Sequence, residues 1–504
     1  MTSPPLRGRL VFALSLLVVL CSLAMHLLGV VTRAERGPHM DENEYLHAGW
    51  MMANGERLYE TFFEHHSPFF FKTLELLAPE GERVDVRSYF RHARWLSGTF
   101  GFIALAALAL ILWRVGPEVA AIGIALLIAT GSLWLYSFLE ARAEPFALAF
   151  FCAGTYLALR WRGAIGGLGV GLVVITSLWQ PKWPLACLAV GVIWLVRSDR
   201  RITGFIAGAL TTALAFLAMS AIVPLDMWWF FNFETNRVLA AAVDVPWVMR
   251  AYFQGGVPFL FVPDALHPWY VVPAAILLAA SLRFERTVWR ALPLILLVAA
   301  YIEMRFIYPW PAVWAHYYLM WSVAAAAVLG TVPSSVRILL ERAPVRERLT
   351  HTITVAVQIG ALFLVSIHVA AVFPVGGSAA TYWVSQKYLR EQLRPGDTIW
   401  LESTRHPVSA KDAHYYWFSI GQMTRAAREL RKTARGRRYL PPPENFPLCD
   451  PQSKVRFTHD PRRIGMPEAS PCMQRLVDTG QARRTVFFDV WEVRLLKSAP
   501  GSGQ

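Results

Sequence analysis

The chain has 504 residues, 55% of them hydrophobic and only 17% charged, with 20 Trp and 30 Phe. Its apolar residues fall in long blocks, which excludes an ordinary soluble globular protein and reads as a polytopic α-helical membrane protein, because a helix needs about 20 mostly apolar residues to cross the hydrocarbon. The net charge of +14 does not point to nucleic acid, since most basic residues sit between apolar blocks and therefore speak to topology.

The first block, Leu10 to Val31, is too long for a signal-peptide core and has no clear small-x-small cleavage site, so it is expected to be a retained span. After it comes "MDENEYLHAGWMMANG" (Met40 to Gly55). Asp41 is a good helix N-cap, Glu44 stands three residues later as in a capping box, and Gly55 supplies a C-cap; together they predict a short helix over Glu42–Asn54. Trp50 and Met51 place that helix along the outer membrane surface. Further apolar blocks run over Trp95–Trp113, Val119–Phe138, Pro145–Leu159, Ala164–Leu178, Pro184–Val196, Ile202–Val223, Tyr270–Leu282, Ala291–Ile307, Val313–Val332 and Ile353–Phe373. With the first they make about eleven transmembrane helices.

Charge tests that count. Alternate connections carry Arg7 and Arg9; Arg114; Arg160 and Arg162; Arg197, Arg200 and Arg201; Arg283, Arg286 and Arg290; and Arg337, Arg342, Arg346 and Arg348. The connections between them hold single basic residues, Arg142, Lys182 and Arg305. The positive-inside rule then puts the N-terminus in the cytoplasm of a multi-pass cell-membrane protein. On the outside lie a first loop at about 32–94, a Trp- and Phe-rich connection at about 224–269, and the polar tail. The expected division is a transmembrane domain over 1–373 and an external domain over 374–504. Strand-like "DTIWLES" (Asp397–Ser403) and "TVFFDVWEVRLL" (Thr485–Leu496), with a helical run near Tyr415–Ala434, make that tail a small α/β domain.

Cys21, Cys152 and Cys187 sit in apolar blocks, and Cys449 and Cys472 in the tail. No Cys-x-x-Cys spacing occurs, which argues against cysteine chemistry as the function. In an oxidising compartment Cys449 and Cys472 either pair or remain free thiols; the sequence leaves both open.

The first-loop pattern Asp41-Glu42, Tyr45, Ala48, Gly55, Tyr59 and "HHSPF" (His65 to Phe69) resembles the first external loop of the C-type (GT-C) membrane glycosyltransferases, the superfamily of the dolichyl-phosphate-mannose protein mannosyltransferases and the lipid A aminoarabinose transferase. The many spans and the external C-terminal domain extend the resemblance. It implies a hexosyl- or pentosyltransferase that moves a sugar from a dolichyl- or undecaprenyl-phosphate carrier to an envelope protein or glycolipid on the external face, with the membrane lipids around it and no nucleic acid. Asp41 takes the position of the family's first-loop carboxylate, as catalytic base, with Glu42 beside it. A carboxylate suits the chemistry: displacing phosphate from an anomeric carbon builds positive charge on the sugar, and the incoming hydroxyl must lose a proton.

Other candidates follow from the same comparison. Tyr45, Tyr59, His65 and His66 share the loop, and "LEARAEP" supplies Glu140, Arg142 and Glu144, costly charges beside the bilayer that are paired or functional. Family members of the aminoarabinose branch carry Lys before the Pro pair of this loop; here His65, His66 and Ser67 stand there, so the ligand of the carrier phosphate moves to His66, Lys72, Lys182 or Arg305. "MRFIYPWPAVWAHYY" adds Arg305, Tyr308, His316 and Tyr317, which also read as an aromatic belt. No metal-ligand spacing appears in the first loop and the resembling branch works without a metal, so no cofactor is expected. Two other classes compete. A glycolipid transporter or flippase would place charges at mid-span and repeat its halves; a noncatalytic envelope protein with an outer binding domain would make Asp41 dispensable.

Overall fold

The computed structural model describes residues 6–34, 37, 40–81, 85–130, 134–242, 266–304, 318–340, 352–361, 363, 379–401, 406–418, 420–444, 446–450, 453–462, 466–485 and 490–493. The chain divides into two compact units, the first formed by residues 1–35, 94–218 and 245–376 and the second by residues 36–93, 219–244 and 377–504.

The helices in chain order are α1 (Leu6–Ala34), α2 (Met40–Ala53), α3 (Pro68–Glu75), α4 (Val86–Trp113), α5 (Pro117–Ile128), α6 (Glu144–Arg160), α7 (Ala164–Trp179), α8 (Pro184–Arg197), α9 (Arg201–Ile222), α10 (Leu225–Trp229), α11 (Thr235–Ala242), α12 (Pro268–Ser281), α13 (Val288–Ile302), α14 (Leu319–Gly330), α15 (Val332–Leu340) and, in the tail, α16 (Ala379–Gln392), α17 (Ile420–Leu430), α18 (Ala434–Tyr439) and α19 (Ser470–Asp478). A further apolar helix covers Thr352–Ala361. Among the described residues four stretches are long and apolar enough to cross a membrane: Arg9–Ala34, Val86–Trp113, Arg201–Ile222 and Leu319–Leu340. The remaining apolar helices are shorter. The block expected over Val119–Phe138 is one of the differences: α5 stops at Ile128, where the Thr130 hydroxyl donates to the Leu127 carbonyl at 2.6 Å, and a separate π-helical turn covers Leu135–Leu139.

In the first unit α5 and α14 are sealed on all sides by apolar neighbours. The pair α6 and α7 packs by backbone approach, since a Cβ on Gly154 would lie 2.6 Å from the Gly169 carbonyl oxygen; small residues permit such contact where lipid offers no hydrophobic drive. By contrast α9 leaves Ile202, Phe205, Leu210, Leu214 and Leu217 between 59% and 77% exposed, a surface for hydrocarbon rather than water.

The second unit combines α2, α3, the 225–242 helical segment and the tail. Its five-stranded mixed sheet has the order β2-β1-β3-β5-β4, with β1 at Thr398–Trp400, β2 at Lys411–Asp412, β3 at Val455–His459, β4 at Ala482–Arg484 and β5 at Val490–Val493. β1 pairs in parallel with β2 and β3, and β5 is antiparallel to β3 and β4. Trp400, Val455, Ala482 and Val493 face one core with Ile420 and Met473, while Ile399, Phe457 and Val490 face another with Leu389. This alternation is the period of two that strand geometry imposes.

Two local expectations for the first loop are corrected. The helix begins at Met40, so Asp41 lies in its first turn rather than at the N-cap. Nor does it present an open face: Glu42 through Trp50 are buried. Both sides are covered within the unit. The Asn43 amide donates to the His406 carbonyl at 2.9 Å on one side, and Gly49 abuts Leu74 and Tyr89 on the other.

Candidate functional site

The first turn of α2 carries Asp41 and Glu42, where the exposed N–H groups and the helix dipole favour carboxylates. Asp41 is half-buried, whereas Glu42, Glu44 and Tyr45 are buried. The helix closes as the sequence predicts, with Gly55 at φ +89° and the Glu56 N–H donating to the Met51 carbonyl at 3.0 Å.

Beyond the turn, the chain folds back on a carboxylate that the sequence reading passed over. Glu64 Oε1 accepts from the His65 N–H at 2.7 Å, the His66 N–H at 3.2 Å and the His66 ring Nδ1–H at 2.7 Å. The Glu44 carboxylate lies 3.7 Å from His66 Nδ1, and the far nitrogen of the ring, Nε2, is 3.3 Å from the Tyr45 hydroxyl. Burial alone would raise the Glu64 pKa, but the charge of His66, the hydrogen bonds from His65 and His66 and the charge of His65 outweigh it and hold the carboxyl far below its ordinary range. An imidazole bonded to an ionised carboxylate on one nitrogen and open to a hydroxyl on the other can carry or pass a proton, or bind an oxyanion.

Tyr59 fixes this loop. It is fully buried and holds φ +68°, a left-handed backbone that non-glycine residues seldom adopt. Its hydroxyl donates to the His66 carbonyl at 2.5 Å and accepts from the Asn232 amide at 2.9 Å. Its ring stacks on Phe231 at 4.3 Å and 8°. Burial first, offset in part by the Asn232 hydrogen bond and reinforced by Glu64, keeps the phenol protonated by raising its pKa well above the ordinary value. Asn236 donates to the His65 carbonyl at 2.9 Å. From the tail, the Tyr415 hydroxyl donates to the Tyr59 carbonyl at 2.6 Å and the Trp417 indole to the Phe63 carbonyl at 3.0 Å. Glu64, Asn232, Asn236 and Tyr415 thus join the candidate site without a sequence signature beyond the adjacency of Glu64 to the histidine pair, and Glu44 joins it from a position that the sequence marked only as helix capping.

The other acidic and basic cluster lies in the first unit. Glu140, Arg142 and Glu144 are all buried. Arg33 donates to Glu140 Oε1 at 2.5 Å, the Arg142 Nε–H donates to Glu144 Oε2 at 3.3 Å, and Arg142 Nη1 lies 4.0 Å from Glu140 Oε2. Lys182 acts electrostatically on Glu144. "LEARAEP" is therefore a set of compensated buried charges, as intramembrane ionisable groups require. A further buried carboxylate, Glu303, accepts from the Leu185 and Ala186 N–H groups at the start of α8. Lys72 pairs with Glu75 at 2.7 Å. Arg305, Tyr308, His316 and Tyr317 lie outside the described residues. Cys472 is disulfide-bonded, while Cys21, Cys152 and Cys187 are free.

Among the described residues two groups bring enough ligand atoms together for a metal ion: Glu44 with Glu64, His65 and His66, and His47 with His406 and Asp412. The first coincides with the hub above. In the second, α2 meets the tail.

The fold of the chain is shared with solved structures of two membrane proteins. The chain is similar to the oligosaccharyltransferase of Archaeoglobus fulgidus, crystallised in its apo form, with TM-score 0.52 and 12% identity over 92% of this chain and 72% of that one. It is similar also to ArnT from Cupriavidus metallidurans, crystallised bound to undecaprenyl phosphate, with TM-score 0.52 and 13% identity over 83% of this chain and 88% of that one. No protein-family model and no curated protein matches the chain.

Proposed function

We propose that this protein is a cell-membrane glycosyltransferase that takes a hexose or pentose from a polyprenyl-phosphate carrier and places it on an envelope protein or glycolipid at the external face. The observation that carries the reading is the hub in the second unit: Asp41 and Glu42 on the first turn of α2, with Glu44, Glu64, His65 and His66 gathered beside it. The fold shared with ArnT, a protein crystallised with undecaprenyl phosphate, supports a lipid-phosphate donor. Asp41 accepts the proton of the incoming hydroxyl, and Glu42 and Glu44 add negative charge that favours the oxocarbenium-like sugar. Tyr45 and Tyr59 shape the pocket, and His66, held by Glu64, is the hydrogen-bond donor to the carrier phosphate together with His65. Glu140, Arg142, Glu144 and Lys182, and Arg305, Tyr308, His316 and Tyr317, belong to the carrier side. The reading includes about eleven spans, a cytoplasmic N-terminus, a transmembrane domain over 1–373, an external domain over 374–504, and a Cys449–Cys472 disulfide.

The test is transfer from a synthetic polyprenyl-phosphate sugar by the purified protein, and by Asp41→Asn. Asn keeps the size of the side chain and cannot take a proton; the lost dipole interaction costs only about 0.3–1 kcal/mol of stability, so folding is retained. Transfer by the parent and loss of at least about a hundredfold in the variant, the scale of general-base catalysis, is expected. Equal rates would remove Asp41 as the base. A parent that transfers nothing from any such donor, in cells whose envelope glycans are unchanged on deletion, would remove the enzyme reading.

A further inference from the structure

Within the second unit, three ligand-type side chains that carry no role assigned above meet one another. His47 on α2 and His406 on the loop after β1 are fully buried, and Asp412 on β2 is 6% exposed. His47 Nε2 lies 2.7 Å from Asp412 Oδ2, and His406 Nε2 lies 2.7 Å from Asp412 Oδ1. The two imidazole rings are 4.0 Å apart between centroids. Trp417 packs edge-on against both at 4.5 and 5.5 Å, and Trp50 stacks on His47 at 5.8 Å.

The His47 ring is oriented by the backbone: its Nδ1–H donates to the Val408 carbonyl at 2.7 Å, which leaves Nε2 facing the Asp412 carboxylate. A carbonyl that orients the distal ring nitrogen is the usual support of a metal-bound imidazole. The backbone around His406 is fixed as well, its carbonyl accepting from the Asn43 amide at 2.9 Å and the Gln386 amide at 3.0 Å, and Asn43 in turn from the Tyr382 hydroxyl at 2.5 Å.

We propose that His47, His406 and Asp412 hold a zinc ion that clamps the first-loop helix to the edge of the tail sheet. Two imidazoles and one carboxylate are a borderline donor set suited to zinc; calcium and magnesium prefer all-oxygen shells. Three protein ligands leave a fourth position for a water, and the aromatic rings packed on the imidazoles hold the ligands in place. The ion joins His47 to His406 and Asp412, which follow it in the chain by 359 and 365 positions, so its removal loosens α2. This inference does not rest on the transferase reading.

The experiment uses full-length, tag-free protein produced with zinc in the medium and purified in detergent without chelator. Elemental analysis is expected to give about one zinc per chain in the parent and in Glu64→Gln, which leaves this site intact, and less than about 0.1 in His406→Ala and Asp412→Asn. Should those variants fail to fold, cobalt exchanged into the parent supplies a second reading, visible d–d bands of a four-coordinate nitrogen–oxygen site. Chelation by phenanthroline is expected to lower the unfolding temperature of the parent by several degrees, with recovery on adding ZnCl2. A metal-free parent with no cobalt bands and no chelator effect overturns the proposal and leaves a His47–Asp412 hydrogen bond. Zinc that persists in both variants but is lost in Glu64→Gln overturns it too, because the ion then belongs to the Glu44–Glu64–His65–His66 group.

Discussion

Glu64→Gln is the perturbation that best isolates what holds the candidate site together. Glutamine keeps the shape and one oxygen to accept the N–H groups of His65 and His66, and it removes the charge. Three donors converge on Glu64 Oε1, and Glu64 is 1% exposed. Hydrogen bonds to a charged group contribute about 1.5–3 kcal/mol each and those between neutral groups about 0.5–1.5 kcal/mol. Converting the set, with partial relaxation, is expected to destabilise the second unit by about 2–3 kcal/mol. At that size the unfolding temperature, followed by tryptophan fluorescence in detergent, falls by about 5–10 °C. Glu64→Ala goes further, about 3–5 kcal/mol, because it leaves buried donors without an acceptor. The pH dependence has a definite sign. Burial raises the Glu64 pKa, but His66 first and then His65 bring it below the ordinary 4.5, so its contribution is complete above that value and is lost as the pH falls below it. The gap between parent and Glu64→Gln therefore closes in acid. A variant that unfolds within about 1 °C of the parent at neutral pH, or a gap that widens in acid, would refute the reasoning.

Two further outcomes follow from close packing and buried charge in the first unit. Gly154→Val places a Cβ 2.6 Å from the Gly169 carbonyl oxygen and is expected to destabilise by about 1–3 kcal/mol, whereas Gly191→Ala meets nothing nearer than 3.9 Å and is expected to stabilise α8 by about 0.5–1 kcal/mol; thermal unfolding of the two variants should move in opposite directions. Arg142→Gln removes the guanidinium that lies beside both Glu140 and Glu144 and should lower stability by about 3–5 kcal/mol, with most of that loss recovered when Glu144→Gln is added.

The apolar helices were legible in the sequence because apolar run length is a one-dimensional signal, and the helices over Ala164–Trp179, Pro184–Arg197 and Arg201–Ile222 begin and end within a residue or so of the expected blocks. The α2 helix was legible for a similar reason: Asp41, Glu44 and Gly55 are local letters. Its burial was not, because one of the two sides is covered by Tyr382, His406, Val408 and Trp417, which lie more than three hundred positions away. The same distance hid Tyr415 from Tyr59. Glu64 is a different case. It stands beside His65, but its role arises only when the backbone turns the N–H groups of the next two residues toward its own carboxylate, a consequence of local geometry that composition does not record. In the tail, β3 and α16 escaped notice because short half-buried elements carry weak periodicity.

Tyr59 shows how that distant support bears on the loop. A left-handed backbone at a residue with a Cβ costs about 1–2 kcal/mol, and glycine would relieve it. Glycine would also remove a fully buried aromatic ring stacked on Phe231 and a hydroxyl bonded to Asn232 and His66. Deleting a buried aromatic side chain costs about 3–5 kcal/mol, so the loss exceeds the relief and Tyr59→Gly should destabilise by about 2–4 kcal/mol. Tyr59→Phe separates the terms, since it keeps the ring and the strain and loses only the hydroxyl bonds, for about 1–3 kcal/mol. The strain persists, on this account, because the Tyr415 hydroxyl holds the Tyr59 carbonyl and Asn232 holds its hydroxyl, which aims His66 toward Tyr45. If Tyr59→Gly proved as stable as the parent, backbone strain would outweigh the packing, and the tail and the 225–242 segment would no longer account for the shape of the loop that carries the site.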